Sequence, residues 1–356
     1  MTQLSALQRS EAELFPHEAT GLEAASTRRS LQTPGSIRFF DYRPTPADVR
    51  AEVLDGLGRP AKCLSPKLFY DQRGSQLFDA ITELPEYYPT RTEIRILREY
   101  GSEMADLLGR DNVLIELGSG SSLKIQTLLA ALQPSVYMPV DISKEHLLES
   151  AHALAERFPN LSIRAACADY SAPFRLPLEP DWTDLAAFFP GSSIGNFDPD
   201  QARLLLGRVA SLLGPGGRLL IGVDLPKDPA ILNAAYDDAQ GVTAAFNLNL
   251  LSRINRELEA DFDLDAFSHR AFFNTERSRV EMHLVSRIEQ QVEVAGVRFG
   301  FRAGETIHTE NSYKYGIDAF HRLAEDAGFV AEQVWTDNQG LFSVHCLRVL
   351  DACSMS

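Results

Sequence analysis

The chain has 356 residues, of which 44% are apolar and 23% charged, and it carries a formal net charge of -15. That length holds one large domain with an insertion, or two domains. An acidic chain with no Lys/Arg-rich segment repels a polyanion, which argues against a nucleic-acid substrate and for a small molecule.

Residues 1–36 mix Glu, Arg, Ser and Thr without a long apolar core, so they read as a mobile tail, neither a signal peptide nor a membrane span. Cys63, Cys167, Cys346 and Cys353 form no Cys-x-x-Cys pair, and a reduced, cytoplasmic setting is expected. The eight histidines lack the spacing of a His-Glu-x-x-His site, so no metal is expected. Segments 69–78 and 84–91 are dense in aromatics, including Tyr70, Phe78 and Tyr87. Aromatic faces suit a sulfonium or quaternary ammonium, and they suit a core equally.

From residue 111 short apolar runs alternate with helical periods: strand 112–117, helix 121–133, strand 135–141, helix 143–157 and strand 161–168. Strand 184–190, helix 198–213 and strand 217–224 continue the rhythm, which implies right-handed crossovers and a parallel, doubly wound sheet. Ligands of such sheets bind at the carboxyl ends of the strands. A long helical stretch over 227–259 is expected next, then alternating runs such as 279–286 that mark strands with one exposed face. A helix over 315–327 leads to two apolar runs, 329–335 and 341–349, expected as a closing antiparallel hairpin.

The first strand breaks into Gly118-Ser119-Gly120, a turn that brings backbone close to a ligand or simply connects strand to helix. Glu116 precedes the turn, and a carboxylate there repels a pyrophosphate and favours a cationic nucleoside. Asp141 ends the second strand, where it can accept ribose hydroxyls, and Asp169 follows the third, where it can accept an adenine amino group. The competing explanation for all three acids is a helix N-terminus. After the fourth strand, Gly191 to Asn196 forms a loop able to approach a reacting centre. Asn196 is a candidate contact or a helix cap, although Asp198 is placed as well or better to cap.

Together, Phe69-Tyr70-Asp71, residues 84–93 (LPEYYPTRTE), 115–120, 191–196, 236–247 (YDDAQGVTAAFN), 255–267 (NRELEADFDLDAF) and 309–314 (TENSYK) resemble one family. It is the S-adenosylmethionine (SAM)-dependent L-histidine Nα-methyltransferases of ergothioneine biosynthesis. The resemblance implies a class I, Rossmann-like α/β sheet with an antiparallel last strand. It assigns the SAM-binding domain to 92–225 and 315–352, and an α+β substrate-covering domain to 37–91 and 226–314. It implies that Tyr87, Gly118, Lys124, Asp141, Asp169 and Tyr170 hold SAM, beside the Glu116 and Gly120 of the turn. Asn196 and Tyr236 would grip the substrate carboxylate, Tyr70, Phe78 and Thr243 would lie near the amine, and Met282, Glu310 and Ser312 would surround the imidazole. Tyr70 and Asn196 are the expected catalytic residues, L-histidine the substrate, S-adenosylhomocysteine (SAH) the by-product and a monomer the expected state. Ser193 stands where the family often has Thr, and Asn311 and Tyr313 stand where smaller or less polar residues are usual, a change expected to alter pocket shape.

Overall fold

The computed structural model describes residues 36–350 apart from 44, 121–122, 174–175 and 181. The expected tail, Ser36 excepted, and the Ser121-Ser122 helix start lie outside the described residues.

In chain order the first elements are β1 (Ile37–Tyr42), α1 (Pro46–Gly58), α2 (Gln72–Thr82), α3 (Tyr88–Leu108), β2 (Val113–Leu117), α4 (Leu123–Leu132) and β3 (Val136–Asp141). Next come α5 (Lys144–Arg157), β4 (Ser162–Ala168), β5 (Leu185–Phe189), α6 (Pro199–Leu213), β6 (Arg218–Asp224), α7 (Pro229–Tyr236) and α8 (Val242–Leu258). The chain closes with β7 (Phe267–Asn274), β8 (Arg279–Ser286), β9 (Gln290–Val294), β10 (Val297–Phe301), β11 (Thr306–Tyr313), α9 (Ile317–Glu325), β12 (Phe329–Thr336) and β13 (Phe342–Val349).

Eight strands form one sheet in the order β1-β4-β3-β2-β5-β6-β13-β12. Pairings among β1 to β6 are parallel, whereas β13 runs antiparallel to both β6 and β12. The central strands are buried almost throughout, because helices cover both faces. Leu114 and Ile115 illustrate the alternation: the first packs with Met104 of α3 and Leu128 of α4, the second with Leu205 of α6 and Phe320 of α9. Strand order reverses between β2 and β5, and the crevice that this opens lies at their carboxyl ends.

Two expectations change. Residues 37–42, expected with the covering region, pair with β4 as the half-exposed edge of the large sheet. The long helix expected over 227–259 is two, because Gly241 takes a φ of 73° and Asp238 accepts the amides of Val242 and Thr243, so α8 starts afresh.

A second layer joins α1, α2, α7 and α8 to the three-stranded sheet β11-β8-β7 and the hairpin β9-β10, around a core containing Phe69, Phe246, Leu250 and Met282. Its link to the crevice is Asp71, the N-cap of α2, which accepts from the Gly74 amide at 2.7 Å, Asn249 at 2.8 Å and Arg256 at 2.6 Å. The chain doubles back so tightly here that a Cβ on Gly74 would lie 1.6 Å from the Phe69 carbonyl oxygen. Tyr70 is thereby fixed between a glycine-tight turn and a capped helix.

Burial opposes ionisation of Asp71, but the Gly74 amide, Arg256 and Asn249 together hold its carboxyl below the usual range. Asp71→Ala is expected to cost about 1–2 kcal/mol at neutral pH, the range of a lost cap. In denaturant titrations the gap between variant and parent should shrink as pH falls through the depressed pKa, because the ionised carboxylate is what stabilises. A gap unchanged in acid would contradict this.

Candidate active site

The crevice has two lobes, and Tyr70, Ile142, Tyr170 and Asn196 line both. The inner lobe is built on the turn after β2. Gly118 takes a φ of 68°, and a Cβ there would meet the Tyr170 hydroxyl at 3.1 Å, so backbone and phenol approach as only glycine permits. Asp141, at the end of β3, accepts the Gly120 amide at 3.1 Å and the Ser143 amide at 2.9 Å. Each of its oxygens keeps a further acceptor site for a ligand hydroxyl. Glu116 is buried, takes the Tyr137 hydroxyl on one oxygen and leaves the other without a partner in the protein. Burial pushes its carboxyl well up, a penalty that a bound cation relieves.

Lys124 of α4 pairs with the fully buried Glu93 at 2.9 Å, and Glu93 also accepts the Gly191 amide at 3.0 Å. One carboxylate therefore ties α3, α4 and the loop after β5 around the lobe. Asp169 lies at the rim of the outer lobe, where it accepts the Ser171 amide at 2.9 Å and Lys67 at 3.1 Å. A nucleoside bearing a cationic amino-acid arm fits this donor and acceptor set: glycines for close approach, a carboxylate at the neighbouring strand end and an unpartnered buried acceptor.

The outer lobe is walled by Glu310, which is 9% exposed. Burial pushes its carboxyl up to about 7 against the pull of Lys314. A register shift between His308 and Glu310 sets Glu310 opposite Met282 and lets Thr309, bonded to Asn247 at 2.8 Å and to the Met282 carbonyl at 3.1 Å, anchor the strand beside it. Ser312 shares a 2.7 Å hydrogen bond with Tyr236, and Lys314 donates to both hydroxyls. Phe78, on the inner lobe, stands edge-on to Tyr70 and to Tyr87, and Tyr87 stands edge-on to Tyr236.

The sequence-derived candidates thus fall into two groups. Tyr70, Phe78, Glu116, Gly118, Gly120, Lys124, Asp141, Asp169, Tyr170, Asn196 and Glu310 line the two lobes. Tyr87, Tyr236, Thr243, Met282 and Ser312 are buried and line neither, so Tyr87 joins the aromatic cluster rather than the glycine turn. Asn196 ends a short 3-10 turn, and Asp198 is the N-cap of α6. On the face of β11 opposite Glu310 and Ser312, Tyr313 donates to Asp198 at 2.9 Å, and Asn311 donates to the same oxygen at 3.4 Å.

Glu281, His283 and His308 hold ligand-type atoms within 4.8 Å of one another. Glu281 already accepts from Arg279 at 2.8 Å and Asn274 at 3.0 Å, and the imidazoles stack with centroids 4.7 Å apart. In-plane lone pairs of stacked rings diverge from a common ion, so this is an ion-pair network.

Sequence reasoning missed Glu93 and the buried set of Tyr88, Asp224, Lys227 and Lys314. Asp224 accepts from Tyr88 at 2.7 Å and pairs with Lys227 at 2.6 Å and Lys314 at 2.7 Å. Their only signal was a charge or phenol inside otherwise apolar or motif-bearing segments.

A parallel sheet closed by an antiparallel strand, with a glycine turn and flanking carboxylates at its strand ends, defines a class I SAM-dependent methyltransferase. The family profile described as histidine-specific methyltransferase, SAM-dependent, matches residues 49–349. The histidine N-alpha-methyltransferase of Mycolicibacterium smegmatis is 43% identical over 302 residues, 83% of this chain and 93% of that one. Ergothioneine biosynthesis protein 1 of Neurospora crassa is 31% identical over 348 residues, 90% of this chain and 37% of that longer one. Among solved structures, 1,6-didemethyltoxoflavin-N1-methyltransferase of Burkholderia thailandensis matches at 16% identity with a TM-score of 0.40, over 78% of this chain and 89% of that one. The chain belongs to the histidine-specific, SAM-dependent methyltransferases. No helix among the described residues is long and apolar enough to cross a membrane.

Glu93→Ala would strand Lys124 and release the Gly191 amide. It is expected to lower stability by about 3–5 kcal/mol, the usual result of halving a buried pair. Denaturant unfolding and SAH calorimetry should report both effects, with Glu93→Gln milder in each; a Gln variant as damaged as the Ala variant would contradict the hydrogen-bonding role.

Proposed function

We propose that this protein transfers three methyl groups from SAM to the α-amine of L-histidine, giving Nα,Nα,Nα-trimethylhistidine (hercynine), as the first step of ergothioneine biosynthesis. The observation that carries this reading is Glu310: a carboxylate in the outer-lobe wall, two residues from the Ser312 hydroxyl on the same face of β11. An imidazole has two ring nitrogens to satisfy, and an acid with a hydroxyl supplies two partners, whereas an indole offers one donor. Because Asn311 and Tyr313 bond to Asp198 on the opposite face, their departure from the family pattern acts on the rim.

SAM supplies the electrophilic methyl. Glu116, Gly118, Gly120, Lys124, Asp141, Asp169 and Tyr170 are assigned to hold it, with Tyr87 acting through the aromatic cluster. Asn196 and Tyr236 would take the substrate carboxylate, with Tyr70, Phe78 and Thr243 around the amine and Met282, Glu310 and Ser312 around the ring. Displacement needs an aligned, neutral amine more than a strong base. Burial raises the Tyr70 phenol well above its ordinary range, so it remains an O–H that orients the amine by hydrogen bonding. As methyls replace N–H donors, the faces of Tyr70 and Phe78 take over recognition of the growing cation. Residues 43–91 and 226–314 form the substrate-covering part of this reading, the edge strand 37–42 belonging to the large sheet, and a cytoplasmic monomer completes it.

Glu310→Ala is expected to raise the histidine KM at least tenfold, about 1.4 kcal/mol or more, while the SAM KM changes little. Steady-state kinetics with each substrate varied would check this; equal losses for both, or tryptophan turned over faster than histidine by the parent enzyme, would overturn the assignment.

A further inference from the structure

The Lys314 side chain is fully buried, and an ammonium has three N–H donors and no acceptor. All three are engaged, with Asp224 at 2.7 Å, the Ser312 hydroxyl at 2.8 Å and the Tyr236 hydroxyl at 3.1 Å. Both hydroxyls therefore accept from the same cation while sharing a 2.7 Å hydrogen bond with each other. Between them they own two protons. One lies in the shared bond, so a single O–H is left for a ligand, at Tyr236 or at Ser312 and never at both.

We propose that Lys314, held by Asp224, is a positioning residue that sets the polarity of this hydroxyl pair, so that the substrate ring binds with one extra proton shared between it and Glu310. The argument rests on the histidine reading above. A substrate carboxylate beside Tyr236 demands the O–H there, because a lone pair would repel it. Ser312 must then donate to Tyr236 and is left only a lone pair for the ring. A ring N–H fills that lone pair, and the other ring nitrogen meets Glu310 across one proton, carried either as imidazolium with carboxylate or as imidazole with carboxylic acid. Both forms have the same proton count. Burial raises the Glu310 carboxyl to about 7, which brings it next to the ordinary imidazole value of about 6.5, so the proton is held between near-equals. Burial, offset by Lys314 and Lys227, leaves Asp224 below the usual carboxylate range, and the anchor of the pair stays charged.

The titratable groups packed around Glu310 are Tyr70 from the turn before α2, Tyr87 at the start of α3, Tyr236 at the end of α7, Lys314 after β11 and His308 on β11, whose ring bonds to the Glu310 carbonyl at 3.0 Å and which burial holds below the ordinary imidazole range, so that it is neutral at pH 8. The three phenols are raised by burial and remain protonated, so the exchanging proton belongs to Glu310 and the ring.

The test uses the intact enzyme saturated with SAH and titrated with Nα,Nα,Nα-trimethylhistidine, whose quaternary nitrogen cannot itself titrate. Calorimetry at pH 8 in two buffers of different ionisation enthalpy counts the protons taken up. Uptake of about one proton per ligand is expected, since both groups are largely deprotonated when free. Lys314→Met should weaken binding about tenfold and bring uptake close to zero, because the two oxygens then separate and each donates its own proton. Ser312→Ala leaves the Asp224–Lys314 pair intact and should also abolish uptake. Binding by the parent without uptake, or uptake that persists in either variant, overturns the inference and leaves the histidine reading standing; no binding of the trimethylated ligand to an enzyme that still binds SAH overturns both.

Discussion

The ion pair between Asp224 and Lys314 is the constraint on which the rest of the site depends. Both side chains are withdrawn from water, 2.7 Å apart, one at the carboxyl end of β6 in the large sheet and the other just beyond β11 in the smaller one. Removing Asp224 would leave the fully buried Lys314 without its counterion, whereas Asp224 would still pair with Lys227, so the carboxylate is the member that holds the two sheets in one register. The backbone repeats the link, with the Tyr315 amide donating to the Asp224 carbonyl at 3.1 Å and the Ser312 strand running directly into it. Tyr88 at the start of α3, Tyr236 at the end of α7 and Ser312 on β11 take their positions from this centre. Glu93 plays the matching part at the inner lobe, joining α3 and α4 to the loop after β5.

Much of the sheet was legible because its signals are local. Strands such as Val113–Leu117 and Val136–Asp141 are continuous apolar runs, and the glycine turn and the acids at strand ends lie within a few residues of them. The closing pair was equally plain, two apolar runs around Asp337 to Gly340 that pair antiparallel. What stayed hidden depends on partners distant in sequence. The edge strand Ile37–Tyr42 pairs with β4 more than a hundred residues later, and nothing in its own pattern says so. The break between α7 and α8 is the exception, a local signal in Asp237-Asp238-Ala239-Gln240-Gly241 that the helical periods on either side masked. The register shift before Glu310 and the convergence of Lys314, Asp224 and Tyr236 appear only once the strands are paired.

The two lobes meet at a narrow set of side chains, Tyr70, Tyr170 and Asn196, and each is fixed by something other than itself. Tyr70 is set by the Asp71 cap, Tyr170 by its edge-on packing against Phe189 and its approach to Gly118, and Asn196 by the turn that Gly191 and Glu93 hold. A methyl transfer that gains little from a base must gain from alignment, and a crevice whose junction is positioned from three separate elements suits that need. Family membership supplies the reaction class; under the proposed function, the buried acid and hydroxyl on β11 would be the partners of a ring with two nitrogens.

The central claim is trimethylation of histidine, and mass spectrometry of the purified protein with SAM and L-histidine, run beside L-tryptophan and L-tyrosine, tests it most directly. The account predicts a histidine product heavier by three methyl groups with one SAH formed per methyl. Unmodified histidine together with a methylated tryptophan or tyrosine would contradict it.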